Sequence, residues 1–402
     1  MPATVRTISG AQIDQLSVLD EVIQTQRDVF AAFVRGEAVM GPRAIISQNE
    51  NAQFSYIARA SKSGPTIVKF GSVVPANANV SLPVVQTTVA LMDAKTGSAT
   101  TFFDGEAITK WRTVAASMAA AKELSNPVTT IAIVGVGHQG LAHAEAVVKV
   151  FQPKKIILIG RSKIEAPRYE CEVIVSDRID DVYEADLIFV CTNSATPVIT
   201  QPLKSGATCI VIGSFAPNRS EINAETLALA DAVFGDDSQT ITTQCGSVID
   251  ANCQNVRSIG EVYNRTAQGR SSSDQVIYYF SVGLGIQDAA HLLTHPQSGA
   301  SWEGFALEQV LRLAKPDQAY FWATHQGAEL DLLMFKGTQR IGVEFKRADA
   351  PVVTASMRVA LEDLKLDHLY VVYPGMHRFK LAEHVEAVPL WAVLPNSQGA
   401  LP

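Results

Sequence analysis

The chain has 402 residues, of which 47% are hydrophobic, and a formal net charge of −7 at pH 7. This length accommodates two or three domains, and the apolar content is that of a globular protein with a sizeable core. The modest negative charge argues against a general binder of nucleic acid or of membrane surfaces. No apolar run is long enough to cross a bilayer and the amino terminus lacks a signal-peptide core, so we expect a cytoplasmic protein without a membrane partner. The five cysteines include no C-x-x-C pair, which disfavours a zinc site or a disulfide framework.

The amino-terminal part of the chain predicts a helix followed by a β-rich region. Residues from about 13 to 36 have the spacing of an amphipathic helix, and five strand patterns follow at 43–47, 54–59, 66–74, 87–93 and 99–104. An Ala-rich helix predicted at 108–124 ends before Asn126-Pro127.

Strand and helix patterns alternate beyond residue 126. Strand candidates lie at 131–134, 155–159, 187–192 and 209–213, and a helix is predicted at 276–293. Because this alternation is typical of a parallel sheet covered by helices on both faces, we predict an α/β fold with a doubly wound parallel sheet. The strongest linker signal is His295-Pro296-Gln297-Ser298-Gly299, and beyond it a helix at 302–313 precedes strands at 320–324, 329–335, 340–346 and 369–373.

The strand at 131–134 runs directly into a glycine-rich turn, Gly135-Val136-Gly137-His138-Gln139-Gly140, and then into an amphipathic helix. This context makes the G-x-G-x-x-G spacing the fingerprint of a Rossmann dinucleotide-binding fold. Gly135 allows the tight turn, Gly137 lets the backbone approach a pyrophosphate, and Gly140 lets helix and strand pack. We expect His138 and Gln139 to face the cofactor or solvent. The alternative is a glycine-rich turn that binds no ligand.

The end of the second strand predicts which dinucleotide is bound. An Asp or Glu about 20 residues past the last glycine would bind the ribose 2′-hydroxyl of NAD. The sequence has Gly160-Arg161-Ser162 there instead, and a guanidinium with a hydroxyl suits a 2′-phosphate. We therefore expect NADPH in preference to NADH, unless Arg161 is an ordinary solvated turn residue. Thr192, Asn193 and Ser194 end a later strand and are expected to flank the cofactor.

Several stretches outside the glycine turn match one known family. They are Gly41-Pro42-Arg43, Val68-Lys69-Phe70 with Pro75 and Asn77, Leu82-Pro83, Asp104-Gly105-Glu106, Arg112-Thr113, and Phe280-Ser281-Val282-Gly283-Leu284 with Asp288. With them, residues 1 to about 293 resemble the ornithine cyclodeaminase/μ-crystallin family, which comprises cyclodeaminases, alanine dehydrogenases, cyclic ketimine reductases and thyroid-hormone-binding crystallins. The resemblance implies a Rossmann domain at 126–273 and an α+β substrate-binding and dimerisation domain at 1–125 with a return helix over 274–294. It also implies a homodimer, and it adds Thr113 to the cofactor-binding residues.

The resemblance assigns three cationic residues to the substrate. Arg43 and Arg112 match the family's carboxylate-binding positions, and arginine grips carboxylates bidentately. Lys69 lies in an apolar run, where burial would lower its pKa and let it act as a proton donor or substrate anchor. Taken singly, each of the three could instead be a structural salt-bridge partner. The expected substrate is a small cyclic imino acid or an amino acid.

One position separates the subfamilies. Where the cyclodeaminases and alanine dehydrogenases of this family carry an Asp, the loop Gly213-Ser214-Phe215-Ala216-Pro217 has Phe215, whose ring cannot relay a proton. The loop resembles that of the Δ1-pyrroline-2-carboxylate/Δ1-piperideine-2-carboxylate reductases. The resemblance thus implies NAD(P)H-dependent reduction of a cyclic ketimine to L-proline or L-pipecolate. The alternatives are an ornithine cyclodeaminase or alanine dehydrogenase activity, and ligand binding without turnover in the manner of the crystallins.

The last hundred residues resemble a different group of proteins. Ser301-Trp302-Glu303-Gly304-Phe305, Gly327-Ala328-Glu329-Leu330-Asp331 and Val343-Glu344-Phe345-Lys346-Arg347 are similar to the C-terminal domain of bacterial and archaeal AAA ATPases, over residues 299 to 394. That resemblance implies an appended α/β domain at 299–402 with a restriction-endonuclease-like core, in which Asp331 and Glu344 would hold Mg²⁺ beside Lys346. We favour a vestigial pattern with a structural ion pair, because ten Lys and Arg against twelve Asp and Glu give this part a net charge of −2. No metal site is expected in the reductase part, and nucleic acid is not an expected partner.

Overall fold

The structure is a computed structural model that describes residues 5–62, 64–80, 82–94, 96–161, 164–294, 306–307, 310–324, 327–346, 351–373, 375 and 377–393. The chain divides into two compact units, Met1–Thr294 and His295–Pro402. Ser162, the linker signal at 295–299, Glu303 and the first residues of the helix predicted at 302–313 lie outside the described residues. Within the described part of the chain, no helix has the length and apolar composition needed to cross a membrane.

The first lobe of the first unit is a seven-stranded sheet with helices packed on one side. Its elements are β1 (Arg6–Ile8), α1 (Gly10–Leu16), α2 (Leu19–Val34), β2 (Val39–Met40), β3 (Ala44–Gln48), β4 (Asn51–Arg59), β5 (Thr66–Val73), a 3-10 turn (Pro75–Val80), β6 (Val85–Met92), β7 (Ala99–Asp104) and α3 (Gly105–Leu124). The strand order is β1-β7-β6-β5-β4-β2, with β3 paired to β4. The Ala-rich α3 packs closely in the core, because Ala115, Ala116, Ala119 and Ala120 are fully buried.

The single helix predicted over 13–36 is wrong in its extent, since two helices occupy this segment. Ser9 and Gln12 form a capping box that starts α1. The chain leaves the helical conformation at Ser17 and Val18, which both have extended backbone, and Asp20 and Glu21 then occupy the first turn of α2.

The second lobe is the predicted parallel sheet, and the Rossmann-like α/β fold is confirmed. Its strands are β8 (Thr130–Val134), β9 (Lys155–Ile159), β10 (Glu172–Ser176), β11 (Leu187–Val190), β12 (Thr208–Val211), β13 (Ala232–Gly235), β14 (Val256–Ser258) and β15 (Ile277–Phe280). Its helices are α4 (His138–Phe151), α5 (Ala224–Leu227), α6 (Ser238–Gln244), α7 (Gly246–Asp250) and α8 (Ile259–Tyr263), with a 3-10 turn at Ile179–Glu184. All neighbouring strands are parallel, in the order β10-β9-β8-β11-β12-β15-β13-β14. The order changes direction beside β8, which places the crevice for a ligand at the carboxyl ends of β8 and β11.

The helix predicted over 276–293, and with it the return helix over 274–294, is wrong in its first half. Residues Ile277–Phe280 form β15, which lies between β12 and β13 and is fully buried. A short run rich in aromatic and β-branched residues fits a buried strand as well as a helix. Here the run pairs with β12 on one side and with β13 on the other. Gly283, with φ of +78°, then ends the extended segment, and α9 covers Gly285–Thr294.

The second unit contains a mixed six-stranded sheet. Its elements are helical residues at 306–307 and 310–314, β16 (Gln318–Ala323), β17 (Glu329–Lys336), β18 (Gln339–Phe345), α10 (Ala355–Asp363), β19 (His368–Tyr373), β20 (Phe379–Ala382), β21 (Val385–Pro389) and α11 (Leu390–Val393). The strand order is β16-β17-β18-β19-β21-β20, with β18, β19 and β21 parallel. Two separate apolar clusters, one containing Val310 and the other Met357, show that helices cover both faces of this sheet.

Candidate active site

The glycine turn has the geometry that a dinucleotide fingerprint requires. Gly135 has φ of +97°, and a Cβ there would lie 2.6 Å from the carbonyl oxygen of Cys191. A Cβ on Gly140 would lie 1.7 Å from the Gly135 carbonyl oxygen, so only glycine lets α4 pack this closely on the end of β8. A Cβ on Gly137 would meet no protein atom within 4 Å. Gly137 therefore borders open space at the amino terminus of α4, where N–H groups can bind phosphate.

This difference between two glycines predicts different effects of the same substitution. We expect Gly140→Ala to lower the free energy of unfolding by about 1–3 kcal/mol, because the added methyl overpacks the turn. Gly137→Ala should leave thermal unfolding unchanged but weaken NADPH binding about tenfold, because the methyl occupies the space of the pyrophosphate. Thermal unfolding and NADPH fluorescence titration check the pair. Unchanged NADPH binding by Gly137→Ala would contradict the pyrophosphate position.

The other predicted cofactor residues border the same crevice or its helices. Arg161 is exposed two residues beyond β9, while Ser162 lies outside the described residues. His138 is exposed, with Nδ1 3.4 Å from Glu106 Oε1. Gln139 Oε1 is buried and has no hydrogen-bond partner within the described chain, so an acceptor is left for a ligand. Thr113 is 7% exposed on α3, which packs against α4.

The segment after β11 is held in place by its own hydrogen bonds. The Thr192 N–H and hydroxyl both donate to Glu221, and the Ser194 N–H donates to Thr192 Oγ1 at 3.2 Å. The Asn193 carbonyl accepts from the Arg219 guanidinium. Together with the open space at Gly137 and the unpaired Gln139 oxygen, this arrangement fits a bound dinucleotide.

A buried ion pair lies at the centre of the first lobe. Lys69 projects from β5 and its Nζ lies 2.8 Å from Asp288 Oδ1 on α9, with side chains only 3% and 0% exposed. The Lys69 ammonium also donates to Thr109 Oγ1 at 2.5 Å, and the Tyr56 hydroxyl donates to Asp288 Oδ2 at 2.8 Å. Asp288 is therefore shared by a lysine and a tyrosine, both of which approach from the sheet.

The electrostatics of this cluster set the protonation of Lys69. Burial lowers the pKa of Lys69 to about 8, although the neighbouring Asp288 carboxylate opposes this decrease. Burial would raise the pKa of Asp288, but Lys69 and Arg112 outweigh it and hold that pKa below the usual value. Burial, together with Asp288, raises the pKa of Tyr56 well above 10.0. Lys69 is thus a cation at neutral pH that can release its proton more readily than an exposed lysine.

Two guanidinium groups flank the ion pair at the turn around Gly283. Arg43 Nη2 donates to the Gly283 carbonyl at 3.1 Å, and Arg112 Nη1 donates to Gln287 Oε1 at 3.1 Å. A Cβ on Gly283 would lie 2.8 Å from Arg112 Nη1, so the turn is pressed against this guanidinium. Arg112 Nε is buried without a hydrogen bond in the described residues, and it lies 3.7 Å from Asp288 Oδ1.

The structure therefore brings together all three residues that the sequence assigned to the substrate. Lys69 and Arg112 approach the Asp288 carboxylate, and Arg43 lies over the ring of Tyr56, which donates to the same carboxylate. Three cations against one anion leave a net charge of +2 that suits a substrate carboxylate. Sequence reasoning gave no role to Asp288 or Tyr56, although Asp288 belonged to a matching stretch. A buried lysine requires a counter-ion, and that requirement was the available signal.

The loop that follows β12 carries the position that separates the subfamilies. Phe215 is 38% exposed, whereas the preceding Ser214 is buried and hydrogen-bonded to Ser247 at 2.9 Å. An exposed ring in this loop can contact a ligand but cannot exchange a proton with it.

The acidic residues singled out in the second unit lie close together. The Phe345 N–H donates to Asp331 Oδ2 at 2.8 Å, the Asp331 N–H donates to Glu344 Oε2 at 3.3 Å, and Lys346 Nζ lies 2.8 Å from Glu344 Oε1. Burial and the Asp331 charge raise the pKa of Glu344, against the effect of Lys346. In the described part of the chain no three His, Cys, Asp or Glu side chains are grouped to hold a metal ion. This geometry agrees with a structural ion pair.

Residues 5–294 match the family model described as the ornithine cyclodeaminase/mu-crystallin family. The chain belongs to this family. Residues 298–393 match a separate model, a domain of unknown function, DUF4143.

Individual relatives cover different shares of this family member. A Δ1-pyrroline-2-carboxylate reductase of Bacillus cereus is 27% identical over 239 residues, which are 55% of this chain and 73% of that protein. An uncharacterized protein of Mycobacterium tuberculosis is 49% identical over 111 residues, or 28% of this chain, and the match spans only 25% of that relative's length. The structure of Thermococcus litoralis Δ1-pyrroline-2-carboxylate reductase in complex with NADH and L-proline superimposes with a TM-score of 0.68 at 21% identity, covering 74% of this chain and 98% of that one. The structural similarity establishes the shared fold.

Proposed function

We propose that this family member is an NAD(P)H-dependent reductase that converts a cyclic ketimine, Δ1-pyrroline-2-carboxylate or Δ1-piperideine-2-carboxylate, to L-proline or L-pipecolate. The observation that carries the proposal is the buried pair of Lys69 and Asp288, with Arg112 near the same carboxylate oxygen and Arg43 at the adjoining turn around Gly283. Family membership and the similarity to pyrroline-2-carboxylate reductases support it.

The residues of the cluster perform separate tasks in this proposal. Arg43 and Arg112 bind the ketimine carboxylate and orient the C=N bond. Bound NAD(P)H supplies a hydride to the ketimine carbon, and Lys69 supplies a proton to the nitrogen, so the C=N bond becomes CH–NH. Asp288 keeps Lys69 protonated at neutral pH despite its burial.

Phe215 favours reduction over the other chemistries of the family. A cyclodeaminase or an alanine dehydrogenase would need a proton-transferring group at this position, which the sequence resemblance assigns to an Asp. A binding protein without turnover would not need the lysine with a pKa of about 8. Both alternatives predict a different result in the same assay.

The assay measures NADPH oxidation by the purified full-length chain with each of the two ketimines. We expect turnover with at least one, and formation of L-proline or L-pipecolate, respectively. Ammonia release from ornithine without ketimine reduction would assign a cyclodeaminase instead, and tight ketimine binding without NADPH oxidation would assign a binding protein.

Arg161 supports NADPH as the preferred cofactor. Its exposed side chain follows β9, where the ribose of the adenosine half lies in Rossmann folds. We expect Arg161→Gln to weaken NADPH binding about tenfold, because one charge-assisted contact to the 2′-phosphate is lost, and to leave NADH binding unchanged. Comparison of the two dissociation constants checks this, and an equal loss for NADH would contradict a contact to the 2′-phosphate.

We also propose that the chain forms a homodimer through the outer face of the first-lobe sheet. Side chains alternate along β4 and β5, so Ile57 and Phe70 face away from Tyr56 and Lys69, and they are 53% and 44% exposed. Ile46 on β3 is 72% exposed. Exposed apolar groups clustered on one sheet face favour association with a second copy.

Analytical ultracentrifugation tests the dimer. We expect Ile46→Asp to shift the chain to monomer, because it places a charge in the apolar interface. The matched control is Leu229→Asp, which changes a 63% exposed apolar residue in the other lobe and should leave the dimer intact. A monomeric parent chain would contradict the proposal.

For the second unit, the restriction-endonuclease-like fold and a magnesium site at Asp331 and Glu344 remain sequence-based proposals. The adjacency of the two carboxylates is their only structural support in the described residues. Nicking of DNA that requires Mg²⁺ and disappears in Asp331→Ala would support them, and its absence in the parent chain would leave the structural ion pair.

A further inference from the structure

Glu221 is a buried carboxylate that joins the ends of two neighbouring strands. Its side chain is fully buried. Oε1 accepts from the Thr192 N–H at 2.8 Å and from the Thr192 hydroxyl at 2.6 Å, and Oε2 accepts from the Gly213 N–H at 2.6 Å. Thr192 follows β11 and Gly213 follows β12, so one side chain sets the separation of both loops.

The absence of a side chain at Gly213 lets the Glu221 carboxylate approach the backbone after β12. A Cβ on Gly213 would lie 2.4 Å from Glu221 Oε1, so a larger residue there would displace the carboxylate. The Glu221 N–H in turn donates to Ser214 Oγ at 3.0 Å and to Ser247 Oγ at 2.9 Å. Both the side chain and the backbone of Glu221 are therefore fixed.

The charge of Glu221 is not neutralised by an ion pair with any described residue, since all donors to its side chain are neutral. Burial raises the pKa of Glu221 to about 7, against the lowering effect of the donors from Thr192 and Gly213. A raised pKa means that ionisation of this group costs free energy of folding, a cost that the donors from Thr192 and Gly213 only partly offset.

The location of Glu221 relates it to the nicotinamide half of the cofactor. A Rossmann sheet binds the two halves of a dinucleotide on either side of the point where the strand order changes direction. In the proposed dinucleotide site, exposed Arg161 at the end of β9 would mark the adenosine half, and the open space at Gly137 would hold the pyrophosphate. The opposite half of the crevice lies over the ends of β11 and β12, which Glu221 joins.

We propose that Glu221 is a positioning residue for the nicotinamide half of the crevice: it fixes the loops after β11 and β12, and its negative charge favours the oxidised, positively charged nicotinamide over the reduced one. The inference rests on the proposed dinucleotide site, but not on the identity of the imine. A fixed negative charge in a buried setting stabilises positive charge that develops as the hydride leaves.

Glu221→Gln separates this role from a purely structural one. Each carboxylate oxygen faces a backbone N–H, so the amide must direct an NH₂ group at one of them and lose that bond. We expect binding of NADP⁺ to weaken about tenfold and binding of NADPH by about threefold, so that the ratio of the two dissociation constants changes. Fluorescence and calorimetric titrations at pH 8, without imine, measure both constants.

Two further variants control the result. Thr192→Val removes the hydroxyl donor but keeps both backbone donors. It should weaken the binding of NADP⁺ and of NADPH by the same factor, and by less than Glu221→Gln does. Glu221→Asp keeps the charge but is too short to reach both strand ends, and should weaken both forms with the ratio retained. If Glu221→Gln does not fold in thermal unfolding, unchanged binding of both forms by Glu221→Asp overturns the positioning role.

The outcomes are distinct. An unchanged ratio in Glu221→Gln overturns the electrostatic preference, and unchanged binding of both forms overturns the positioning role. Failure of the parent chain to bind either dinucleotide would overturn the cofactor site itself. Binding of both forms without ketimine turnover would overturn only the proposed substrate.

Discussion

Lys69→Met is expected to lower kcat/KM for ketimine reduction by about a thousandfold, because general acid catalysis by a positioned side chain contributes about 10²–10⁴-fold. Methionine has a similar length and fills the apolar surroundings of the lysine on β5, but it carries no proton. Removing one partner of the buried ion pair costs stability, but Asp288 keeps its hydrogen bond from Tyr56 and the neighbouring charge of Arg112, so the variant should still fold. Steady-state rates with either ketimine measure the effect.

The matched control for this variant is Thr109→Val. It removes the hydroxyl that accepts from Lys69 Nζ but leaves the ion pair with Asp288 in place, so the rate should fall by less than about tenfold. Dinucleotide binding should be unchanged in both variants, because neither residue contacts the glycine turn. A Lys69→Met variant with the parental rate would show that the proton comes from elsewhere.

Asp288→Asn is expected to change both stability and the pH dependence of the reaction. Removing one partner of a buried ion pair lowers the free energy of unfolding by about 3–5 kcal/mol, and neutralisation of Lys69 reduces this loss. Without the carboxylate, the pKa of Lys69 falls below its present value of about 8. Because reduction requires the protonated lysine, kcat/KM falls as pH rises through this pKa. The decline should therefore begin at lower pH in Asp288→Asn.

Tyr56→Phe provides the comparison for Asp288→Asn. It removes one hydrogen bond to Asp288 but keeps the ion pair, so the pH profile should stay close to that of the parent chain. Chemical denaturation and kcat/KM between pH 6 and about 9 measure the two effects. A profile that does not move in Asp288→Asn would mean that Lys69 is not the group that titrates.

The geometry of the glycine turn could be predicted from the sequence because its determinants are local. The strand, the three glycines and the helix amino terminus lie within one continuous stretch, and Gly135 and Gly140 each have a steric requirement that the structure shows directly. The alternating strands of the second lobe were recognisable for the same reason. β15 was not, because a buried strand of four residues lacks the alternation that distinguishes strands from helices.

The cluster around Asp288, which is the candidate substrate site, depends on contacts between distant parts of the chain. Lys69 and Asp288 are 219 positions apart, and Tyr56 and Asp288 are 232 apart. No local pattern pairs them, and the resemblance identified the cations without their shared counter-ion. Glu221 was missed because a glutamate between a serine and an isoleucine in a loop has no periodicity, and its partners Thr192 and Gly213 belong to two other segments.

Two segments of the chain connect the lobes, and these two passages restrict how the crevice can open. One passage follows α3, where Arg270 Nε donates to the Leu124 carbonyl at 2.8 Å. The other is the turn before α9, where Asp236 accepts from the backbone of Val282 and Gly283 at 3.0 Å each. Hinges require segments that can absorb changes in backbone angles, and both passages are tied to the sheet. We therefore expect the two lobes to move as one body, without opening of the crevice about these segments.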